Sequence, residues 1–167
     1  SDLINNTPVI PMDVDSINGV SINAWYDYSL NNNTVIDNGN RPDYTSNIDS
    51  GKPGVTFEGN EAFILSSNPK YANWTIFYVT SFPKSGQNWF TLTRGQSGDH
   101  HVLINSSGKL GSYENSPNVF YDSGISTSSL NEGLHIGMAK KSGTSINHNI
   151  DGIFSSNLSI TGLDGGF

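Results

Sequence analysis

The chain is a succession of short apolar runs, about ten residues apart, with turn-forming residues between them. The 18 Gly and 7 Pro among 167 residues, together with abundant Asn and Ser, leave little room for long helices. Several runs alternate apolar and polar residues, which is the period of a half-buried strand. The pattern therefore predicts an all-β chain with strands in VSINAWYDYS, GVTFEG, EAFILSS, WTIFYVTSF, NWFTLTRG, HHVLINS, KLGSYEN, LHIGMAKK, INHNIDG and LSITG.

Residues that favour tight turns, and the positions of bulky side chains in the strands, indicate how these strands are arranged. Asp151-Gly152 is the pair that a type I′ hairpin turn prefers, and residues 105–109 (NSSGK) offer a glycine for a positive φ. The run WTIFYVTSF, residues 74–82, has bulky residues on both faces, which predicts a central strand. About ten short strands without crossover helices predict an antiparallel two-sheet β-sandwich, most simply a jelly roll.

Composition argues against several kinds of partner. Charged residues make up 14% of the chain and the formal net charge is −7, so neither nucleic acid nor an anionic membrane surface is expected as a partner. The chain has no cysteine, which excludes disulfides and thiolate metal sites. No apolar stretch has the length that spans a bilayer, so we expect no membrane insertion. Residues 1–15 are interpreted as a lead-in or linker, and residues 16–167 as one domain.

The order of the motifs is similar to that of a known family. DSINGVSINAWYDYS, GKPGVTFEGNEAFIL, WTIFYVTSF, INSSGKLGSY and HIGMAKKSGTSINHNIDGIF follow one another along the chain. Their order and spacing resemble those of the laminin-G-like, concanavalin A-like jelly-roll domains of bacterial and phage surface proteins. The resemblance implies this fold for residues 16–167 and an extracellular location on a virion or cell surface. It does not specify a function, because the sandwich hosts lectins, glycosidases and structural modules.

Family members usually continue beyond a segment like SITGLDGGF with one more strand, which closes the sheet near the N-terminal strand. The sequence here stops at Phe167. We therefore expect either a fragment of a longer protein or a neighbouring chain that supplies the strand. An unpaired edge at that place would favour a homo-oligomer or association with other surface-protein chains.

Glycoside hydrolysis, which relatives of this fold perform, requires two carboxyl groups on either side of the scissile bond. The hydrolytic members of the family have a Glu-x-Asp-x-(x)-Glu strand pattern, and this sequence contains no such run. Glu58 and Glu61 flank Gly59-Asn60, so we expect them to be solvated turn acids that help to define a hairpin, in which that pair joins two core strands. The sequence therefore predicts a protein that is not an enzyme.

Metal binding has two candidate sources. Asp99-His100-His101 concentrates three residues of the right type, but neighbouring residues of a strand point to opposite faces, so the histidines are not expected to share an ion. Calcium suits the resembling family better, because carboxylates and backbone carbonyls on loops are its usual ligands. A structural calcium is thus one candidate cofactor. The acids that could bind it are Glu58, Glu61, Asp99 and Asp151.

Carbohydrate binding has the broadest support from residue types. Sugars stack their C–H faces on Trp and Tyr rings, polar side chains bond the hydroxyls, and binding residues concentrate on loops. Trp25 and Trp74 lie inside strand patterns and are expected in the core. The predicted loops at residues 31–47, 94–101 and 113–124 are rich in residues of these kinds. The candidate glycan-binding residues are Trp89, Asp99, His100, Tyr113, Asn115, Asn118 and Tyr121.

Two functional hypotheses remain after these exclusions. The first is a non-catalytic adhesion or decoration module that binds a glycan, such as a host cell-surface polysaccharide, and belongs to a phage virion or a bacterial surface protein. The second is a structural or assembly domain with no small ligand, which associates with other chains through its sheet edge. Glycan binding would favour the first hypothesis, whereas a stable oligomer without glycan binding would favour the second.

Overall fold

The structure is a computed structural model, and it describes residues 19, 21–27, 33–65, 71–82, 89–95 and 97–163. These residues form fourteen β-strands and one turn of 3-10 helix, and every strand pairing among them is antiparallel. The expected all-β, antiparallel class is confirmed. In these ranges there is no helix with the length and hydropathy to cross a membrane. The predicted lead-in, residues 1–15, lies outside the described residues.

The chain divides into two compact units, Ser1–Ser67 and Asn68–Phe167. The first unit contains a three-stranded sheet in the order β1-β2-β5 and a two-stranded sheet formed by β3 and β4. Its buried apolar residues in the described part are Ile22, Ala24, Pro42 and Tyr44. Its strands are β1 (Ala24–Trp25), β2 (Val35–Asp37), β3 (Asp43–Asp49), β4 (Lys52–Thr56) and β5 (Phe63–Leu65).

Two expectations for this unit are wrong. Gly59-Asn60 does not join a hairpin, because β4 pairs with β3 whereas β5 pairs with β2 in a different sheet. Trp25 is exposed and not in the core. It lies in a two-residue strand at the end of its sheet, where Phe63 contacts it edge-on with 6.3 Å between ring centroids. Both errors concern non-local pairing, which residue alternation does not specify.

The second unit contains two larger sheets. The four-stranded sheet has the order β10-β9-β8-β7, and the five-stranded sheet has the order β13-β12-β11-β6, with β14 also paired to β12. A single 3-10 turn, Thr127–Ser129, connects β10 to β11. The strands are β6 (Trp74–Thr80), β7 (Phe90–Arg94), β8 (His100–Ile104), β9 (Lys109–Glu114), β10 (Val119–Ser126), β11 (His135–Ser142), β12 (Ser145–Ile150), β13 (Ile153–Phe154) and β14 (Leu158–Ser159).

One hydrophobic core lies between these two sheets. Ile104 and Leu110 come from the four-stranded sheet, Ile146 and Ile150 come from the five-stranded sheet, and all four belong to one buried cluster. Trp74 belongs to the same cluster, which confirms its predicted core position. Each fully buried aliphatic side chain stabilises the fold by about 1.5–3 kcal/mol, so this shared core joins the two sheets as the layers of a sandwich.

Local turn chemistry is confirmed where the sequence specified it. Asp151 and Gly152 have φ angles of 48° and 84°, and they connect β12 to β13 between the paired residues Ile150 and Ile153. Both positive φ angles are those of a type I′ turn. The turn at residues 105–109 also forms, with a φ of 71° at its glycine.

Within the described part of the chain, residues 74–82 do not form the predicted central strand. Strand β6 covers Trp74–Thr80 and lies at one end of the order β13-β12-β11-β6, so within the described residues it pairs with β11 alone. Its inward side chains reach the core, as expected. Its outward side chains Phe77 and Val79 are nevertheless 75% and 64% exposed. Bulk on both faces therefore does not indicate burial on both faces here.

Candidate functional site

Three of the predicted glycan-binding residues lie together on the four-stranded sheet, and we call Trp89, His100 and Tyr113 the aromatic platform. The ring centroids of Trp89 and Tyr113 are 4.8 Å apart, those of His100 and Tyr113 are 5.6 Å apart, and those of Trp89 and His100 are 6.1 Å apart. The rings meet at 72° to 80°, the edge-to-face geometry that aromatic pairs prefer. Trp89 is 46% exposed, so the cluster includes ring surface that a ligand can reach.

Strand register assembles the platform from three separate segments. His100 in β8 is directly paired with Tyr113 in β9, which places both side chains on the same face of the sheet. Trp89 immediately precedes β7, the strand next to β8. The neighbouring β9 residues Ser112 and Glu114 point to the opposite, inner face and are buried. The platform is therefore on the outer face of the sheet.

Two hydrogen bonds fix the polar ends of the platform rings. The Tyr113 hydroxyl donates to Asn118 Oδ1 at 2.5 Å, and Thr91 Oγ1 shares a hydrogen bond with His100 Nδ1 at 2.6 Å. Asn118 has a φ of 71° in the β9–β10 turn, a backbone conformation that Asn tolerates better than most residues. Because Thr91 engages Nδ1, the ring nitrogen that a ligand would bond is His100 Nε2.

Asp99 and Asn115 hold two turns together beside the platform. Asp99 is only 4% exposed, and its Oδ1 accepts a hydrogen bond from the backbone N–H of Asn115 at 2.8 Å. The Asn115 side-chain amide donates to the backbone carbonyl of Ser97 at 3.2 Å. Gly98, which adopts a φ of 89°, leaves the space that the Asn115 side chain uses. These contacts position the turn that leads into His100, so both residues act on the platform through the backbone.

Electrostatics keep the platform histidine neutral near pH 7. Burial lowers the pKa of His100 below its usual value, and the nearby Arg94 guanidinium lowers it further, as does His101. The Asp99 carboxylate opposes this shift. Arg94 ends β7 and is directly paired with His100 across the strands. A neutral imidazole both donates and accepts hydrogen bonds, which suits a ligand rich in hydroxyl groups.

Tyr121 belongs to a different environment. Phe120 pairs with Tyr113, so Tyr121 pairs with Ser112 and points to the inner face of the sheet. Its hydroxyl donates to Glu114 Oε2 at 2.6 Å. Burial tends to raise the pKa of Glu114, but this bond and others from Thr161 and the backbone outweigh burial and lower it. The structure thus brings Trp89, His100, Tyr113 and Asn118 together and places Tyr121 apart from them.

The four predicted calcium ligands take part in separate local contacts. Glu61 accepts a hydrogen bond from the backbone N–H of Glu58 at 2.5 Å, and Asp99 bonds the turn described above. Asp151 contacts His135 at 2.5 Å between Oδ2 and Nδ1. Among the residues that the structure describes, no three His, Asp or Glu side chains form a group that could hold a metal ion. Calcium binding stays a prediction.

A buried serine–histidine pair lies in the core but does not have the geometry of an activated nucleophile. Ser112 Oγ donates its proton to the backbone carbonyl of His101 at 2.7 Å, and it is 3.0 Å from His148 Nε2. Because the serine proton is already engaged, the histidine nitrogen must donate and cannot act as a base toward Ser112. Burial lowers the pKa of His148 to about 4, so this histidine is neutral at pH 7. The pair joins the two sheets.

Thr91 and Arg94 are site residues that the sequence interpretation did not name. Thr91 is two positions from Trp89, so strand alternation could have placed it on the same face. Arg94 depends on the irregular pairing of β7 with β8, and the sequence contains no signal for that irregularity.

No family model, no curated protein and no solved structure matches this chain.

Proposed function

We propose that this chain is a non-catalytic surface module that binds a glycan on the aromatic platform. The observation that carries the proposal is the half-exposed Trp89 ring in edge-on contact with Tyr113, 4.8 Å between centroids, on the outer face of the four-stranded sheet. A tryptophan ring held in this way offers an apolar surface to the C–H face of a sugar at little entropic cost.

The polar groups around Trp89 supply the directional part of the interaction. His100 Nε2 and the amide group of Asn118 would bond sugar hydroxyls, while Thr91 keeps the imidazole in one orientation. Asp99 and Asn115 would act indirectly, because they hold the turns that carry His100 and Asn118. Under this proposal Tyr121 supports the inner face and does not contact the sugar.

The wider setting of the proposal follows from the motif order. The fold would be a laminin-G-like, concanavalin A-like jelly roll, and the module would serve adhesion or decoration on a phage virion or bacterial cell surface. The antiparallel sheets and the shared core of the second unit support a sandwich of this general kind. The low content of charged residues and the acidic balance of the chain favour a neutral polar ligand over nucleic acid.

A glycan array probed with the purified chain tests the proposal, and the affinity of any hit should then be measured by calorimetry. We expect Trp89→Ala to weaken binding by about 30-fold, because truncation of a central tryptophan anchor costs about 2 kcal/mol. Trp25→Ala, which removes an exposed tryptophan of the first unit, is the matched control and should leave the affinity unchanged. An equal loss in both variants, or no glycan bound at all, would contradict the proposal.

The same array repeated in EDTA tests calcium separately. Loss of binding in EDTA, restored by added calcium, would indicate a structural ion; unchanged binding would indicate that the platform functions without one. Protein that binds no glycan but forms a stable oligomer would support the alternative, an assembly domain. Strand β6 is the feature that favours this alternative, because its outer backbone edge has no partner strand among the described residues.

A further inference from the structure

The outward side of the five-stranded sheet is an apolar face, which we define as Phe77, Val79, Ile136, Met138 and Phe154. Strand register aligns these residues. Phe77 is paired with Met138, Met138 with Asn149, and Asn149 with Phe154, so one row crosses four strands, and it is apolar at every position except Asn149. Val79 and Ile136 form the adjacent row. All of them point away from the core that the inward residues of the same strands build.

The exposure of this face is large for the outside of an antiparallel sheet. Phe77, Val79, Ile136 and Phe154 are 75%, 64%, 67% and 73% exposed. An antiparallel sheet with one solvated side usually places polar residues there. At about 200 Å² for each aromatic residue, the two phenylalanines alone expose about 300 Å². With the aliphatic residues, the apolar face presents about 500 Å², the size at which patches on soluble proteins are often functional.

The charges around the apolar face are arranged in opposite signs at its two ends. Lys140 lies on the same outward side of β11, four residues beyond Ile136, which is about 13 Å along the strand. At the other end, Asp151 accepts a hydrogen bond from the backbone N–H of Ile136, and the exposed Glu132 lies in the loop that leads into β11. The face is therefore basic at one end and acidic at the other.

We infer that a second copy of this chain covers the apolar face. A two-fold axis that lies in the interface and runs across the strands would set the β11 strands of the two copies antiparallel. Lys140 of each copy would then approach the acidic end of the other, while the apolar rows meet in the middle. Such an isologous interface requires a self-complementary surface, and opposite charges at the two ends of one face satisfy that requirement.

The available area fits a dimer of moderate stability. The apolar face offers about 500 Å² per copy, and the polar residues around it extend the contact toward the roughly 800 Å² per partner of a standard interface. The chain as a whole is acidic, with a net charge of −7, which opposes self-association elsewhere on the surface. This inference does not rest on the proposed glycan binding, because the apolar face and the aromatic platform belong to different sheets.

Sedimentation equilibrium of the purified full chain over a wide range of concentrations tests the inference. We expect a monomer–dimer equilibrium in the wild type and a dissociation constant at least about 30-fold higher in Phe77→Ser/Ile136→Thr, because two central apolar anchors are lost. Trp89→Ala removes an exposed ring from the other sheet and should dimerise as the wild type does. Circular dichroism of each variant verifies that it is folded.

The charge arrangement provides a second, independent variant. Lys140→Glu makes both ends of the apolar face acidic, so the dimer should weaken, and the weakening should diminish at high salt. A wild type that is monomeric at every concentration would overturn the inference. So would a dimer that Phe77→Ser/Ile136→Thr leaves unchanged, or a monomer whose apolar face binds lipid vesicles instead. A wild type that dimerises but binds no glycan would count against the aromatic platform only.

Discussion

Exposed aromatic rings occur on the outer faces of both sheets in the second unit, but their surroundings differ. On the four-stranded sheet, Tyr113 and His100 each form a hydrogen bond with a neighbouring side chain. On the five-stranded sheet, Phe77 and Phe154 have no polar atoms to orient. The first face combines apolar surface with directional bonds, which suits a hydroxylated ligand. The second offers an apolar area with opposite charges at its two ends, which suits another protein surface.

The inner faces of the two sheets, by contrast, build one shared core. We expect a fall in pH to weaken this core through His148. Burial lowers its folded pKa to about 4, whereas the unfolded chain retains about 6.5, so the unfolded state takes up a proton first as pH falls. The contribution of neutral His148 to the free energy of unfolding is fully present above pH 6.5 and is lost between pH 6.5 and pH 4. About 3 kcal/mol is expected to disappear over that range.

Chemical denaturation at a series of pH values measures this loss. His148→Gln keeps an N–H donor for Ser112 and does not titrate, so its stability should fall less steeply between pH 6.5 and pH 4 than that of the wild type. His100→Gln, which changes the partly exposed platform histidine, is the comparison for a less buried site. Equal slopes for the wild type and His148→Gln would show that the buried histidine is not the group responsible.

The outer faces of the two sheets should also differ in how much a substitution changes stability, because Gly111 is closely covered whereas Ile136 is exposed. A Cβ at Gly111 would lie 2.1 Å from the Tyr121 carbonyl oxygen and 2.7 Å from the Phe120 ring, so Gly111→Ala should destabilise the protein by about 2 kcal/mol. Ile136→Thr changes an exposed residue of the apolar face and should shift monomer stability by no more than about 0.5 kcal/mol. Both values come from denaturant unfolding at low protein concentration, where a dimer would not contribute.

Local sequence signals predicted much of the second unit and little of its pairing. The alternation in HIGMAKKS predicts strand β11, and Asp151-Gly152 predicts the turn between β12 and β13, because these features depend on residues close in sequence. The position of β6 at one end of its sheet depends on partners far along the chain. The hairpin predicted at Gly59-Asn60 does not form for the same reason, since β4 and β5 each pair with an earlier strand.

Residue type predicted which side chains belong to the candidate site, but it did not predict which face of the sheet each one occupies. Trp89, His100 and Tyr113 were named from their chemistry, and register then placed them within 6.1 Å of one another. Whether Tyr113 and Tyr121 share a face depends on the length of the turn between β9 and β10. Here Glu114 pairs with Val119, so the four intervening residues set Tyr121 opposite Ser112 and direct it inward. A turn one residue longer would have reversed that outcome.

The four-stranded sheet also adjusts the protonation of the aromatic platform. The Arg94 guanidinium lowers the pKa of His100, in addition to burial, which is the larger cause. Arg94→Gln removes this cation, so the pKa of His100 should rise toward its usual value, and NMR titration of the imidazole would measure the change. Lys109→Gln removes a cation from β9 in the same sheet and should leave the pKa of His100 unchanged. If Arg94→Gln leaves the pKa of His100 unchanged or lowers it, the guanidinium does not control the protonation of the platform histidine. A rise would show that the pairing of Arg94 with His100 lowers the pKa of the platform histidine. The phenylalanine rings of the apolar face do not titrate, so that face has no comparable control.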